Sequence, residues 1–346
     1  MMLRLSAAAA LSIALFTGPA LADDAADCAG ADAQTIVPAW TRIIDKAGAP
    51  PASVAEAYAK RGQHYLNIGQ PDRAFPDLDE AIKRNPSNAD AHHNRGVVYA
   101  LQGENEKALA DLSEVIRLSP ETAAESYHMR GRIYAAVGDW ARALVEFDAA
   151  LKTDPRHVDA LISRGGVRYL KGGLLKPEVD LAVADFSKAI EIDPNNADAY
   201  ESRCAVYGAT NRSPQAIADC DQAIKLNPQS LQARINRGVA YVFQKQFDPG
   251  MTDLNEAARL DPGNPQVYKE RGAVQALKGE SAGALADANK AIALYPDYAD
   301  ALGLRAAMNE RLGNRDQAIA DYHKVLALDP SNNKSAEALK RLGATP

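Results

Sequence analysis

Eight prolines set a ruler along this chain: Pro86, Pro120, Pro155, Pro194, Pro228, Pro262, Pro296 and Pro330 stand 34, 35, 39, 34, 34, 34 and 34 residues apart. Each closes a short apolar run and a polar residue, as in Arg117-Leu118-Ser119-Pro120 and Lys225-Leu226-Asn227-Pro228. A proline there ends a helix, because its ring cannot continue the hydrogen-bond ladder and it pushes the preceding residue out of helical dihedrals. A fixed period of this length describes a supersecondary unit that cannot bury its apolar face alone and is covered by the next copy. The composition agrees: 47% hydrophobic but only 6% aromatic residues suit tightly packed helices better than a β-sandwich.

Each repeat is numbered here so that the proline is position 32, with five extra residues carried by the fourth repeat. Position 8 is then Gly62, Gly96, Gly131, Gly165, Cys204, Gly238, Gly272 and Ala306, and position 20 is Ala74, Ala108, Ala143, Ala182, Ala216, Gly250, Ala284 and Ala318. Small residues at one point on each of two helices let their axes approach at the short end of the usual range of about 8–10 Å, so each repeat is expected to be two antiparallel helices. Bulk on either side comes from tyrosines at position 11 (Tyr65, Tyr99, Tyr134, Tyr207, Tyr241) and from position 24 (Leu78, Leu112, Phe147, Phe186, Leu254, Tyr322). Gly69, Gly103, Gly138, Gly279 and Gly313 mark the turn between helices, and Asp72, Asp139, Asp248 and Ser213 are the expected caps.

This spacing and residue pattern resembles the tetratricopeptide repeat family, over roughly residues 55–331. The resemblance implies an all-α chain: a right-handed superhelical solenoid of about eight helix-turn-helix repeats, with a concave groove lined by the first helix of each pair. It also implies a non-enzymatic scaffold that binds extended peptides or protein partners. Two positions depart from the family's apolar choice together. Position 7 is Arg61, Arg95, Arg130, Arg164, Arg203, Arg237, Arg271 and Arg305; position 23 is Asp77, Asp111, Glu146, Asp185, Asp219, Asp253, Asp287 and Asp321. Eight matched opposite charges on facing helices read as one bidentate ion pair per repeat, rather than as an arginine ladder for an anionic ligand, which would leave the acids unexplained.

Outside the repeats, Arg4, the apolar run Leu5–Phe16 and the small-residue site Ala20-Leu21-Ala22 have the pattern of a secretory signal peptide cleaved after Ala22. The apolar run is shorter than the roughly 20 residues a spanning helix needs, and no second long one follows. The expected organisation is a leader at 1–22, a covering helix around Trp40 within 23–54, the repeats at 55–331 and a capping helix within 332–346. The expected location is the periplasm. The formal charge of −6, with no basic block, argues against a nucleic-acid partner.

Three kinds of residue carry candidate chemistry. Cys204 and Cys220 hold positions 8 and 24 of one repeat, face each other across its helix pair, and in an oxidising compartment invite a disulfide, leaving Cys28 over. His93 and His128 both fall at position 5, with Asp90 and Glu125 at position 2, but equivalent points on neighbouring helices are about 10 Å apart. No metal site, cofactor or catalytic constellation is therefore expected. The groove, in family terms positions 2, 5, 9, 12 and 13, offers a small apolar floor with acids along one edge. His93, Val97, His128, Arg132, Ile162, Glu201, Val239 and Phe243 are the expected binding residues. The leading reading is an envelope adaptor holding an extended polypeptide in the groove. The alternatives are a structural spacer in the envelope and a metal-dependent sensor or enzyme hidden in the inserted loop at 172–177.

Overall fold

The structure, a computed structural model, describes residues 33–346, with side chains from Val37 onward. The expected leader and Cys28 lie outside the described residues. Among those described there are eighteen α-helices and no strand. The chain divides into two compact bodies, the first ending at Val167 and the second running Arg168–Pro346.

In the first body, α1 (Ala33–Asp45) precedes three helix pairs: α2 (Pro51–Asn67) with α3 (Pro71–Arg84), α4 (Ala89–Leu101) with α5 (Asn105–Leu118), and α6 (Ala124–Ala136) with α7 (Trp140–Thr153). The next helix, α8 (Val158–Gly172), begins in this body. The second body holds α9 (Lys176–Ile192) and four pairs: α10 (Ala197–Ala209) with α11 (Ser213–Leu226), α12 (Leu231–Phe243) with α13 (Phe247–Leu260), α14 (Pro265–Lys278) with α15 (Ser281–Leu294), and α16 (Ala299–Arg311) with α17 (Arg315–Leu328). It ends with α18 (Asn333–Arg341). Within the bodies, first helices pack on their own second helices and on the first helix of the following repeat, as α2 on α4, α4 on α6, α10 on α12, α12 on α14 and α14 on α16, while the second helix also meets that following first helix, as α3 meets α4 and α11 meets α12. This is the stacking the proline ruler demands.

The small positions explain the close pairing. A Cβ added at Gly62 would stand 2.8 Å from Leu78 Cγ, and one at Gly131 only 2.5 Å from the Phe147 ring. Leu78, Leu112, Phe147 and Leu254 are all fully buried under the glycine of their own repeat. Repeat seven lacks that bulk, having Ala288 at position 24. Its space is taken by neighbours: Leu304 of the next repeat reaches to where a Gly272 Cβ would stand, and Gln275 covers Gly283.

Some local expectations are corrected. The inserted residues of repeat four are not all loop; α8 and α9 lengthen to 15 and 17 residues, leaving a short turn through Gly173 with Leu174 and Leu175 exposed. Of the four expected caps, Asp139 accepts from the Arg142 N–H at 3.1 Å, whereas Asp72, Asp248 and Ser213 lie inside the first turn. The strong caps sit at position 34 instead, before the first helices: Asn88, Asn196, Ser230, Asn264 and Asn332 each accept a backbone N–H. The end helices behave as covers. In α1, Ala39 and Ile43 are buried; in α18, Ala338 and Leu339 pack on Ala306, Ala318 and Tyr322.

Candidate functional site

The arginine-acid pairs form an internal ladder. In six repeats the guanidinium is bidentate on its acid, as for Arg61–Asp77 at 2.7 and 2.8 Å and Arg237–Asp253 at 2.7 and 2.6 Å; Arg95, Arg203, Arg271 and Arg305 do the same. The acids are nearly inaccessible, Asp253 at 4%. Hydrogen bonding to Asp253 comes first among the causes that hold the Arg237 guanidinium above its ordinary pKa. In repeat three Glu146 takes the acid's place and receives one bond, from Arg130 Nη2 at 2.7 Å, while Arg130 Nε is buried without a partner. Burial pushes the Glu146 carboxyl up, and the Arg130 charge only partly offsets it. In repeat four Asp185 receives Arg168 Nη1 at 2.7 Å.

The third arginine nitrogen does something that the sequence reading missed: Nη1 reaches back to position 25 of the preceding repeat. The acceptors are Asp79, Ser113, Asp148, Ser187, Asp221, Asn255 and Asn289. For Arg61 the acceptor is Thr41 of α1, at 2.8 Å. Where the bidentate pair and a back-bond to a second helix both form, at Arg95, Arg203, Arg237, Arg271 and Arg305, the arginine ties two successive second helices together, and its donors are spent inside the protein rather than offered to a ligand.

The expected binding residues fall into two sets. In the first body, Val97 is 7% exposed and packs in the core with Val98 and Leu112, so it offers little surface, and His128 is likewise buried. His93 is half-buried with Nδ1 2.9 Å from Ser126 Oγ, and burial lowers its pKa. Arg132 and Ile162 are half-buried; burial also lowers the Arg132 pKa, against the charges of Glu125 and Asp159. In the second body, Glu201 accepts from the Ser230 hydroxyl, and burial raises its pKa. Val239 is half-buried beside Ile235 and Val267, while Phe243 is 60% exposed. Phe243 is one of a register of exposed apolar residues at position 13, with Leu170 and Leu277 in the same body and Leu101 in the first.

The histidine arrangement differs from the expected one. His93 does not join His128. Instead Glu125, His128 and His157 bring one ligand atom each to within 4.8 Å of one another, the one such group among the described residues. Glu125 Oε2 is 3.0 Å from His157 Nε2, and Oε1 is 3.6 Å from His128 Nδ1. Burial pushes Glu125 up, but the two imidazoles hold its carboxyl well below the usual carboxylate range. Burial works against the His157 imidazolium, and Glu125 more than offsets it. His157 was missed because it stands at the capping position 34, where its Nδ1 accepts from the Ala160 N–H at 3.3 Å. Cys204 and Cys220 are joined in a disulfide with Cα atoms 5.5 Å apart, linking α10 to α11 at the crossing where other repeats place glycine and leucine.

Stacked helical hairpins, closed by small residues and tied by arginines, define an α-helical repeat protein. The family model described as Tetratricopeptide repeat matches residues 59–123, 128–197, 206–265 and 278–333, more than half of the chain, and the chain belongs to that family. No curated protein matches the sequence. Solved structures share the fold at low identity. A tetratricopeptide repeat protein from Parabacteroides merdae is 18% identical with a TM-score of 0.53, covering 84% of this chain and 98% of that one. The Cut9-Hcn1 hetero-tetramer of APC/C gives 15% and 0.62, covering 89% of this chain and 59% of that one. PilF of Pseudomonas aeruginosa gives 18% and 0.56, covering 65% and 98%. Proteins of this family are generally protein-interaction scaffolds and typically non-enzymatic. Among the described residues no helix is long and apolar enough to cross a membrane.

Proposed function

We propose that this protein is an exported, non-enzymatic adaptor of the bacterial envelope that holds an extended polypeptide segment against its first helices. One observation carries the reading: the charged residues that could have recognised an anion are consumed in the ladder, while large apolar side chains stay exposed at one register position. In the second body these are Leu170, Phe243 and Leu277, at 63%, 60% and 61% exposed. Apolar side chains repeated at one spacing suit a partner that runs along the repeats and buries alternate side chains. Half-buried Glu201 adds an acidic group for a basic or amide-rich segment. The signal-peptide pattern and the disulfide support an oxidising location outside the cytoplasm.

The experiment is a photo-reactive residue at Phe243 in cells, paired with Leu277→Asp. The expected result is a discrete cross-linked polypeptide that disappears in the Asp variant, with the helical circular dichroism unchanged. A spacer predicts no specific product and no effect of the substitution. Export has its own readout: the mature chain should begin at Asp23, and a full-length chain in the cytoplasmic fraction would remove that part of the proposal.

A further inference from the structure

The geometry points to a site for a divalent transition-metal ion of the zinc class, formed by His128 Nδ1, His157 Nε2 and a carboxylate oxygen of Glu125. These residues come from the start of α6 and the cap of α8, both in the first body. The three donors lie within 4.8 Å of one another, and the Glu125–His157 pair is already at 3.0 Å. Metal bonds of about 2.0–2.2 Å need donors roughly 3–3.5 Å apart, so the set is closed by a contraction of about 1–2 Å at its widest pair, shared between the half-exposed Glu125 and the His157 ring.

A second, independent observation is the state of His128. Its side chain is 4% exposed, and Nδ1 is buried with no hydrogen-bond partner. A buried ring nitrogen left without a partner is costly. Its other nitrogen, Nε2, is 3.0 Å from Ser163 Oγ. With the ring proton on Nε2 and directed to that hydroxyl, the Nδ1 lone pair is presented to the site, the arrangement in which a histidine ligand is fixed by an outer partner. His157 coordinating through Nε2 carries its proton on Nδ1 and gives up the long 3.3 Å bond from Ala160 N–H, a small loss beside a metal-nitrogen bond.

Two imidazoles and one carboxylate select zinc, cobalt, nickel or copper over calcium and magnesium, which take all-oxygen sets. Three protein donors leave at least one position on the Glu125 side for water or for a donor atom from a partner.

The test is calorimetric titration of the full chain, free of any histidine tag, with Zn²⁺, and with Co²⁺ as a spectroscopic reporter. One equivalent should bind, with a cobalt visible band of histidine-carboxylate type. His157→Asn is the decisive variant, since asparagine caps the equivalent position at Asn88 and Asn196 and keeps the helix start intact. It should weaken binding beyond the roughly 10–100-fold that loss of an outer partner costs, and Ser163→Ala should fall within that range. Glu125→Gln, at an exposed side chain, gives an independent loss if His128 variants fail to fold. Absence of stoichiometric binding by the parent chain, or binding unchanged in both His157→Asn and Glu125→Gln, would overturn the site. This readout does not depend on whether a polypeptide is captured at Phe243.

Discussion

Repeat six and repeat three place an arginine and an acid at the same two positions, yet they differ in how well the charges are satisfied. In repeat six, Arg237 spends Nε and Nη2 on Asp253 and Nη1 on Asp221. In repeat three, one extra methylene in Glu146 turns the fork so that a single oxygen is reached, and Arg130 Nε stays buried and unpaired. Burial in that repeat therefore costs more than the pairing returns, as the raised Glu146 pKa shows. The same repeat carries Glu125 and His128 and is followed by His157. The repeat with the poorest charge pairing is thus also the one that carries two of the three residues of the titratable cluster. The largest test of this contrast is a pair of variants. Arg237→Ala strands Asp253 and should cost about 3–5 kcal/mol in urea unfolding. Arg130→Ala removes one hydrogen bond and a partnerless donor, and should cost about 1–2 kcal/mol. Equal losses would erase the distinction.

The disulfide sharpens the contrast from the other side, because only the second body has a covalent tie among the described residues. Reduction opens a loop between residues 16 apart and should lower stability by about 3 kcal/mol. Both tryptophans, Trp40 and Trp140, precede Val167, so their fluorescence reports the first body, while circular dichroism reports the whole. A helical unfolding midpoint unmoved by reductant would show that the bridge adds nothing. Next in size is the helix crossing. An alanine Cβ at position 131 meets the Phe147 ring at 2.5 Å, whereas at position 238 it meets Leu254 Cγ at 3.1 Å. Gly131→Ala should therefore lose about 1–3 kcal/mol to overpacking. For Gly238→Ala, the gain in helix propensity of about 1 kcal/mol offsets the milder contact, leaving little net change.

These differences mark what could be read from residues alone. Prolines, glycines and alanines each have one dominant physical role, so helix ends and crossings were legible, and so was the pairing of position 7 with position 23. The back-bond from Nη1 was not, because its acceptors at position 25 are Asp, Ser or Asn, types that any exposed helix face carries. The Glu125–His128–His157 group was hidden for a different reason. Its members come from two positions of one helix and from the cap of another, so no single spacing joins them, and a histidine standing where asparagine usually caps gives no ligand signal. Val97 was placed in the groove because position 9 is lined that way in the family, whereas the close stacking of α4 on α2 and α6 seals it in. The inserted residues at 172–177 looked like a loop because two glycines and a proline cluster there, yet Pro177 falls in the first turn of α9, where a proline is tolerated.

The smallest effect concerns position 4, whose side chain hydrogen-bonds the carbonyl of the preceding repeat's proline. Arg234 donates to Pro228 O at 2.9 Å and Tyr268 to Pro262 O at 3.1 Å, both in the second body and both indifferent to neutral pH. In the first body the residue is His92, with Nε2 3.0 Å from Pro86 O and Nδ1 2.9 Å from Asp111 Oδ1. Two acceptors require two N–H donors, so the ring is held as imidazolium. The Asp111 bond raises its pKa, against burial and against the nearby Arg95 charge, with Glu114 also in electrostatic reach. A raised folded-state pKa contributes stability that is complete below the unfolded histidine value of about 6.5 and is lost as pH rises through the folded value. The first body should therefore unfold at gently decreasing urea concentration as pH rises from that value, read by tryptophan fluorescence. In His92→Arg, which copies Arg234, the contribution of this position to the slope should vanish. A slope identical in the two proteins would mean that the His92 proton does not help hold repeat two on repeat one.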